Sequence, residues 1–214
     1  MARALGERHG RAGRRLLELG IGTGRLAIPL AADGWEVTGI DASATMLDRL
    51  RAKPAARGID VVLGDLGDPA TWPGQRYDVV LAAFNLLFNL TTAERQQAVL
   101  GLAAGHLAED GAVVIEADAI DPGAGDERSV SPSVLVDGVT IETRSDHRRQ
   151  LISGVHRGAG RDRPWQLRYV SPDQLDTMAA AAGLDLVERR AGWDGSAAGT
   201  RHVSWYRLSR PRPG

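Results

Sequence analysis

The stretch Arg15-Leu16-Leu17-Glu18-Leu19-Gly20-Ile21-Gly22-Thr23-Gly24 decides how this chain is read. Its first half is a short apolar run of the kind found in a buried parallel strand. Its second half places glycines at every second position, where a chain can turn tightly and a ligand can approach the backbone. Leu26, Ala27, Leu30 and Ala31 then form the apolar side of a helix, with Pro29 tolerable only near its first turn. A dinucleotide fingerprint, G-x-G-x-x-G, would need its third glycine at position 25, which is Arg25. Glu18 would repel a pyrophosphate, and it suits the ammonium of an amino acid. Free amides opening the following helix favour an anionic group.

Outward from this loop, strands and helices alternate. Residues 36–41, 60–65, 77–84 and 112–116 read as strands two to five. Ser43 caps a helix through Met46, Leu47 and Leu50, and residues 92–107 form another helix that Gly111 breaks. This alternation predicts an α/β fold, a Rossmann-like, doubly wound, mostly parallel seven-stranded sheet. Residues 117–133 read as a loop, and 139–147, 151–155 and 165–170 as antiparallel strands. An antiparallel β insertion over 130–170 therefore follows strand five, on the substrate side or at a homodimer contact. Ser171-Pro172 with Gln174 opens a helix that ends at Gly183. Residues 184–189 and 202–208 supply strands six and seven. One domain over 1–214 is expected, with a short helix or frayed lead-in over 1–14 and an irregular tail from Arg210.

Composition narrows the chemistry. With 26 basic and 27 acidic residues the formal net charge is -1, so no general pull toward nucleic acid or a membrane surface exists. The absence of cysteine removes disulfides, iron–sulfur clusters and cysteine nucleophiles together. No apolar run is long enough to span a bilayer and no signal-peptide core follows the basic N-terminus, so a cytoplasmic location is expected.

An acid followed by three alternating glycines resembles motif I of the class I S-adenosylmethionine (SAM)-dependent methyltransferases. The likeness extends over residues 16–208 and is nearest to small actinobacterial-type enzymes that methylate amino sugars and other natural products, through Arg168-Tyr169, Gly192-Trp193-Asp194 and Arg201-His202-Val203. It implies that Glu18, Gly20, Gly22 and Gly24 cradle the methionine part of SAM. Asp41, with Ala42 beside it, would accept the ribose hydroxyls, and Asp65 the adenine amino group. Met46 and Leu66 would sandwich the ring. Arg25 either meets the SAM carboxylate or is a solvated helix residue. Ala83 and the following Phe84-Asn85-Leu86-Leu87-Phe88-Asn89 would lie beside the methyl donor. Relatives carry several tens of residues before strand one as a lid. Here residues 1–14 precede it, which leaves three expectations open: a more open site, a lid from the insertion or a second subunit, or a start that lies further upstream.

On the substrate side the candidates are Asn85, Phe88, Glu116, Tyr169 and Trp193, each with a packing role as its alternative. His147, His156 and His202 read as structural or exposed residues, and His106 as a partner of its helix end. No dedicated general base stands out, which favours an amine over a hydroxyl acceptor, though nitrogen and oxygen of a small molecule, including a secondary metabolite, both stay open. No [Asp/Asn]-Pro-Pro-[Tyr/Phe] tetrad follows strand four, which argues against DNA methylation. No metal is expected. A SAM-binding protein without catalysis and a nicotinamide-dependent reductase are the alternative readings.

Overall fold

The computed structural model describes residues 1, 4–6, 13–120, 130–134, 140–158, 162–194 and 201–209, the side chains of 130–134 excepted. The lead-in and the tail from Arg210 lie largely outside this set, though residues 4–6 are helical and Leu5 is buried.

Seven strands form the large sheet: β1 (Arg15–Leu19), β2 (Glu36–Asp41), β3 (Asp60–Leu63), β4 (Tyr77–Ala82), β5 (Leu107–Asp118), β10 (Leu184–Arg190) and β11 (Arg201–Leu208). Their order is β10-β11-β5-β4-β1-β2-β3, with β11 antiparallel to both neighbours and the strands from β5 to β3 parallel. This matches the expected mostly parallel, doubly wound sheet. Strand order reverses between β1 and β4, the point where such sheets open a crevice.

Alternate residues on each strand point to opposite layers. Leu17, Leu19, Val80 and Ile115 join a core beneath α3 (Ala93–Gly105) and α4 (Pro172–Ala181). Leu16, Val79, Leu81 and Val114 join a second core beneath α1 (Ala27–Ala32) and α2 (Ala44–Arg51). The caps act as read from sequence. Ser43 accepts from Met46 N, and Ser171 and Gln174 complete a capping box ahead of Pro172. Thr92 caps α3, whose last turn is closed by His106 Nδ1 at 2.7 Å from Leu102 O.

A second sheet has the order β6-β7-β8-β9, all antiparallel: β6 (Val130–Val134), β7 (Thr140–Asp146), β8 (Leu151–Arg157) and β9 (Arg163–Arg168). Ile152 and Leu167 pack it against the core beneath α3 and α4. Two expectations are corrected here. Part of the segment read as a loop is β6, an edge strand, where Pro132 is tolerated. Strand five begins at Leu107, so Gly111 lies within a strand and does not break a helix. Gly111 stands where the β4–β5 register shifts, and a Cβ there would sit 2.8 Å from Tyr77 O. No helix among the described residues is long and apolar enough to cross a membrane.

Candidate active site

The carboxyl ends of β1 and β4 flank a cavity of about 320 Å³. Glu18, Gly20, Gly22, Thr23 and Arg25 line it on one side, Met46 and Arg49 on another, and Ala83 and Phe84 on a third. The glycine loop is fastened to β2: Gly20 N and Ile21 N both donate to Ile40 O, at 2.8 and 3.2 Å. Gly20 and Gly24 have φ of 68° and 78°, and a Cβ would run into Leu86 at the first and Leu50 at the second. These two positions therefore exclude side chains on both conformational and steric grounds. Lys53 Nζ donates to Thr23 O at 2.6 Å and braces the loop from the far end of α2.

Several loop amides expected to be free for an anion are already engaged. Gly22 N donates to Asp41 Oδ2 at 2.8 Å, Gly24 N to Ile21 O at 3.0 Å, and the Ala27 amide to Glu18. The loop thus offers a carboxylate more than it offers donors. Glu18 is 4% exposed, and its Oε2 has no hydrogen-bond partner. Burial pushes its pKa up to about 8, against the lowering influence of Arg25 and the Ala27 amide. A buried carboxylate oxygen without a partner is costly, and a ligand cation would satisfy it.

Asp41 ends β2 and is held at both oxygens, Oδ2 by Gly22 N and Oδ1 by Ser43 N, each at 2.8 Å. Each carboxylate oxygen keeps a second lone pair, so a vicinal diol fits the remaining capacity. Ala42 is exposed on the turn beside it. Met46 is 41% exposed on the cavity wall, in keeping with a flat apolar ligand surface.

The third wall is strained. Phe84 and Asn85 have φ of 54° and 58°, two successive left-handed residues that are not glycine. Strand β5 holds them there. Phe84 N donates to Glu116 Oε2 and Asn85 N to Glu116 O, both at 3.1 Å, and Asn85 pairs with Asp118 through side chain and backbone. Phe84 is consequently 41% exposed. Arg25 Cζ lies 3.5 Å from its ring centroid and Arg201 Cζ 5.4 Å away. Arg201 is itself tied to Asp118 at 3.0 Å and Glu116 at 3.6 Å.

Other sequence candidates fall elsewhere. Asp65 bonds Gly67 N and forms an ion pair with Arg95 at 2.7 Å, which holds its carboxyl below the ordinary range. Leu66 packs on the core edge, its carbonyl accepting from Trp72 Nε1. Neither lines the cavity. Phe88 is 1% exposed within the core beneath α3, because the 3-10 turn Leu86–Asn89 rotates it inward. Tyr169 is fully buried and its hydroxyl meets His147 Nδ1 at 2.9 Å. Trp193 stacks edge-on against Trp205 on the other layer. Asn85 and Glu116 do not line the cavity either; Glu116 holds Phe84 from behind and Asn85 follows it in the turn. His202 is buried against Ser204 Oγ at 2.9 Å, and burial drives its pKa down to about 4.

Sequence reading misses Arg49 and Asp118, since each owes its place to tertiary packing. It places Phe84 beside the methyl donor with the rest of 83–89, and it counts Thr23 and Arg201 in stretches that carry the resemblance without giving either a role of its own.

The buried unpaired acid, the glycine cradle and the diol-ready carboxylate fit an amino-acid nucleoside, and comparison with known proteins agrees. Residues 16–111 match a family described as a methyltransferase domain. The chain is 33% identical over 202 residues, 90% of its own length and 79% of the relative's, to the cypemycin N-terminal methyltransferase of a Streptomyces species. It is similar to the CcbJ methyltransferase of Streptomyces caelestis, with a TM-score of 0.85 at 35% identity over 98% of this chain and 89% of that one. It also shares the fold of the SAM-bound amino pentose methyltransferase CalS10 of Micromonospora echinaspora, with a TM-score of 0.68 at 23% identity over 95% and 87% of the two chains. By its sequence and by its fold, the chain belongs to the class I SAM-dependent methyltransferases.

Proposed function

We propose that this methyltransferase acts on an amine nitrogen of a small-molecule or peptide natural product. The observation that carries the reading is the acidic rim at the end of β5. Glu116 and Asp118 stand beside the strained Phe84-Asn85 wall and share Arg201 as their basic partner, which leaves one negative charge in excess once Arg25, over the same ring, is drawn to the donor's carboxylate. A rim of that sign draws in an ammonium. The similar Streptomyces relative is named a cypemycin N-terminal methyltransferase.

Glu18, Gly20, Gly22, Gly24 and Asp41 would hold the cofactor, with Met46 against its ring and Ala83 beside its reactive end. Asp65 would reach the adenine amino group while keeping Arg95, and Ala42 and Leu66 would flank that end. Arg25 would serve the carboxylate. Bound SAM supplies a methyl group already activated on a sulfonium. The chain's own work is then alignment and exclusion of water. His202 is buried against Ser204 with its pKa lowered to about 4, which makes it a poor base, so the acceptor sheds its proton to solvent or to the rim carboxylates. An amine does this near neutral pH and an alcohol does not. In this reading residues 1–214 form one catalytic unit, and the second sheet covers the substrate side or joins two copies, which sedimentation velocity tests.

Matched acceptors test the function. An amino sugar against its hydroxy analogue, and a peptide with a free against an acetylated N-terminus, are incubated with methyl-labelled SAM. Label is expected in the amines alone. Equal labelling of the hydroxy analogue overturns the reading.

A further inference from the structure

Phe84 is a large apolar side chain kept in the open by hydrogen bonds. Its backbone sits in the left-handed region, which a bulky residue leaves unless neighbours hold it. Glu116 and Asp118 supply that hold through four hydrogen bonds to residues 84 and 85. The result is an aromatic face on the cavity wall rather than in the core.

That face already attracts cations. Arg201 is anchored by two carboxylates and stays 5.4 Å off. Arg25 lies closer, at 3.5 Å, and makes no ion pair with any described residue, so it is the one free to leave. Glu18, across the same cavity, feels Arg25 and Asp41 as its charged neighbours and keeps one oxygen without a partner. A ring faced by a loosely held arginine, opposite an acid awaiting a cation, is arranged for exchange of one cation for another.

We propose that the Phe84 ring reads the charge on the donor sulfur. Arg25 occupies the ring until the sulfonium takes its place, so the charged donor is preferred over its neutral thioether product. This rests on the reading that puts the donor between Glu18 and Phe84. The displaced guanidinium moves toward the donor's carboxylate, an interaction common to donor and product that cancels in their ratio. A neutral sulfur has nothing to offer the quadrupole and leaves the ring that Arg25 has vacated without a cation.

The test is calorimetric and needs no turnover. Dissociation constants for SAM and S-adenosylhomocysteine are measured on the full chain and on Phe84→Leu, Phe84→Tyr, Arg25→Gln and Asp41→Ala. Preference for SAM over the thioether is expected to fall about five- to thirtyfold in Phe84→Leu, from the strength of a desolvated cation–π contact. It holds in Phe84→Tyr, which keeps the ring, and in Arg25→Gln, where both ligands lose the same carboxylate contact and shift alike. Equal weakening of both ligands in Phe84→Leu, or a changed ratio in Arg25→Gln, overturns the proposal. Asp41→Ala separates the two failures: it should weaken both ligands alike, and if it weakens neither, the cavity is misassigned and this inference falls with it.

Discussion

Asn85 and Asp118 hold each other through two hydrogen bonds of 2.7 Å, one from Asn85 Nδ2 to the Asp118 carboxylate and one from Asp118 N to Asn85 Oδ1. The pair ties the turn after β4 to the end of β5 at the reactive edge of the sheet.

Removing that pair should separate stability from activity. Asn85→Ala leaves Asp118 N without its partner and puts a Cβ residue at φ 58° with no local hydrogen bond in return. We expect a loss of about 1–3 kcal/mol in chemical denaturation, together with a marked fall in kcat. Asn85→Gly relieves the backbone alone, so it should regain melting temperature and not turnover. Full recovery of turnover in the glycine variant would contradict this.

In the proposed site, Glu18 would make cofactor binding depend on protons. Its native pKa, about 8, stands above its ordinary value of 4.5, so the empty protein binds this proton more tightly than the unfolded chain does. Stability is therefore drained as pH climbs from the ordinary carboxylate range toward 8. Glu18→Gln should stabilise the empty protein at pH 8, on the order of 1–3 kcal/mol, while weakening SAM. A bound ammonium stabilises the carboxylate, so binding expels a proton and affinity rises with pH until about 8. Calorimetry in two buffers of different ionisation enthalpy measures that proton, and the glutamine variant should release none.

Asp41→Ala should weaken SAM by about ten- to a hundredfold, since charge-assisted bonds to a diol and the tether on Gly22 N vanish together. Asp41→Asn keeps an acceptor and should fall between. Unaltered affinity in Asp41→Ala would remove the ribose assignment.

Two glycines of like backbone conformation should respond differently to alanine. Gly24 and Gly58 have φ of 78° and 88°. A Cβ at Gly24 strikes Leu50, whereas one at Gly58 meets nothing within 4 Å. Gly58→Ala should therefore cost about 1 kcal/mol, the conformational part alone. Gly24→Ala should cost about 2–4 kcal/mol and cofactor affinity besides. Equal melting temperatures for the two variants would refute the steric half of the claim.

The fold from β1 to β5 was legible because short apolar runs, glycine turns and caps such as Ser43 and Thr92 all agree. Strand β6 was hidden by Pro132, which reads as a breaker unless the strand is known to lie at an edge. The start of β5 was hidden because the apolar spacing of α3 runs on into Leu107. Within the site, Glu18, the glycines and Asp41 could be found by spacing along one crossover. The choice between Phe84 and Phe88 could not. Both follow β4, and only the tight turn between them sends one to the cavity and the other to the core. Arg201 arrives from a strand far along the chain, and Arg201-His202-Val203 marks the likeness to relatives without telling that its guanidinium reaches the Phe84 ring.

Strand β11 is the one member of the large sheet that runs against its neighbours, and Arg201 is its first residue. The chain therefore enters the ligand edge there, where the parallel strands leave it. Arg201 thus brings a strand's opening residue, held by Asp118 and Glu116, to an edge that the parallel strands supply with their last ones.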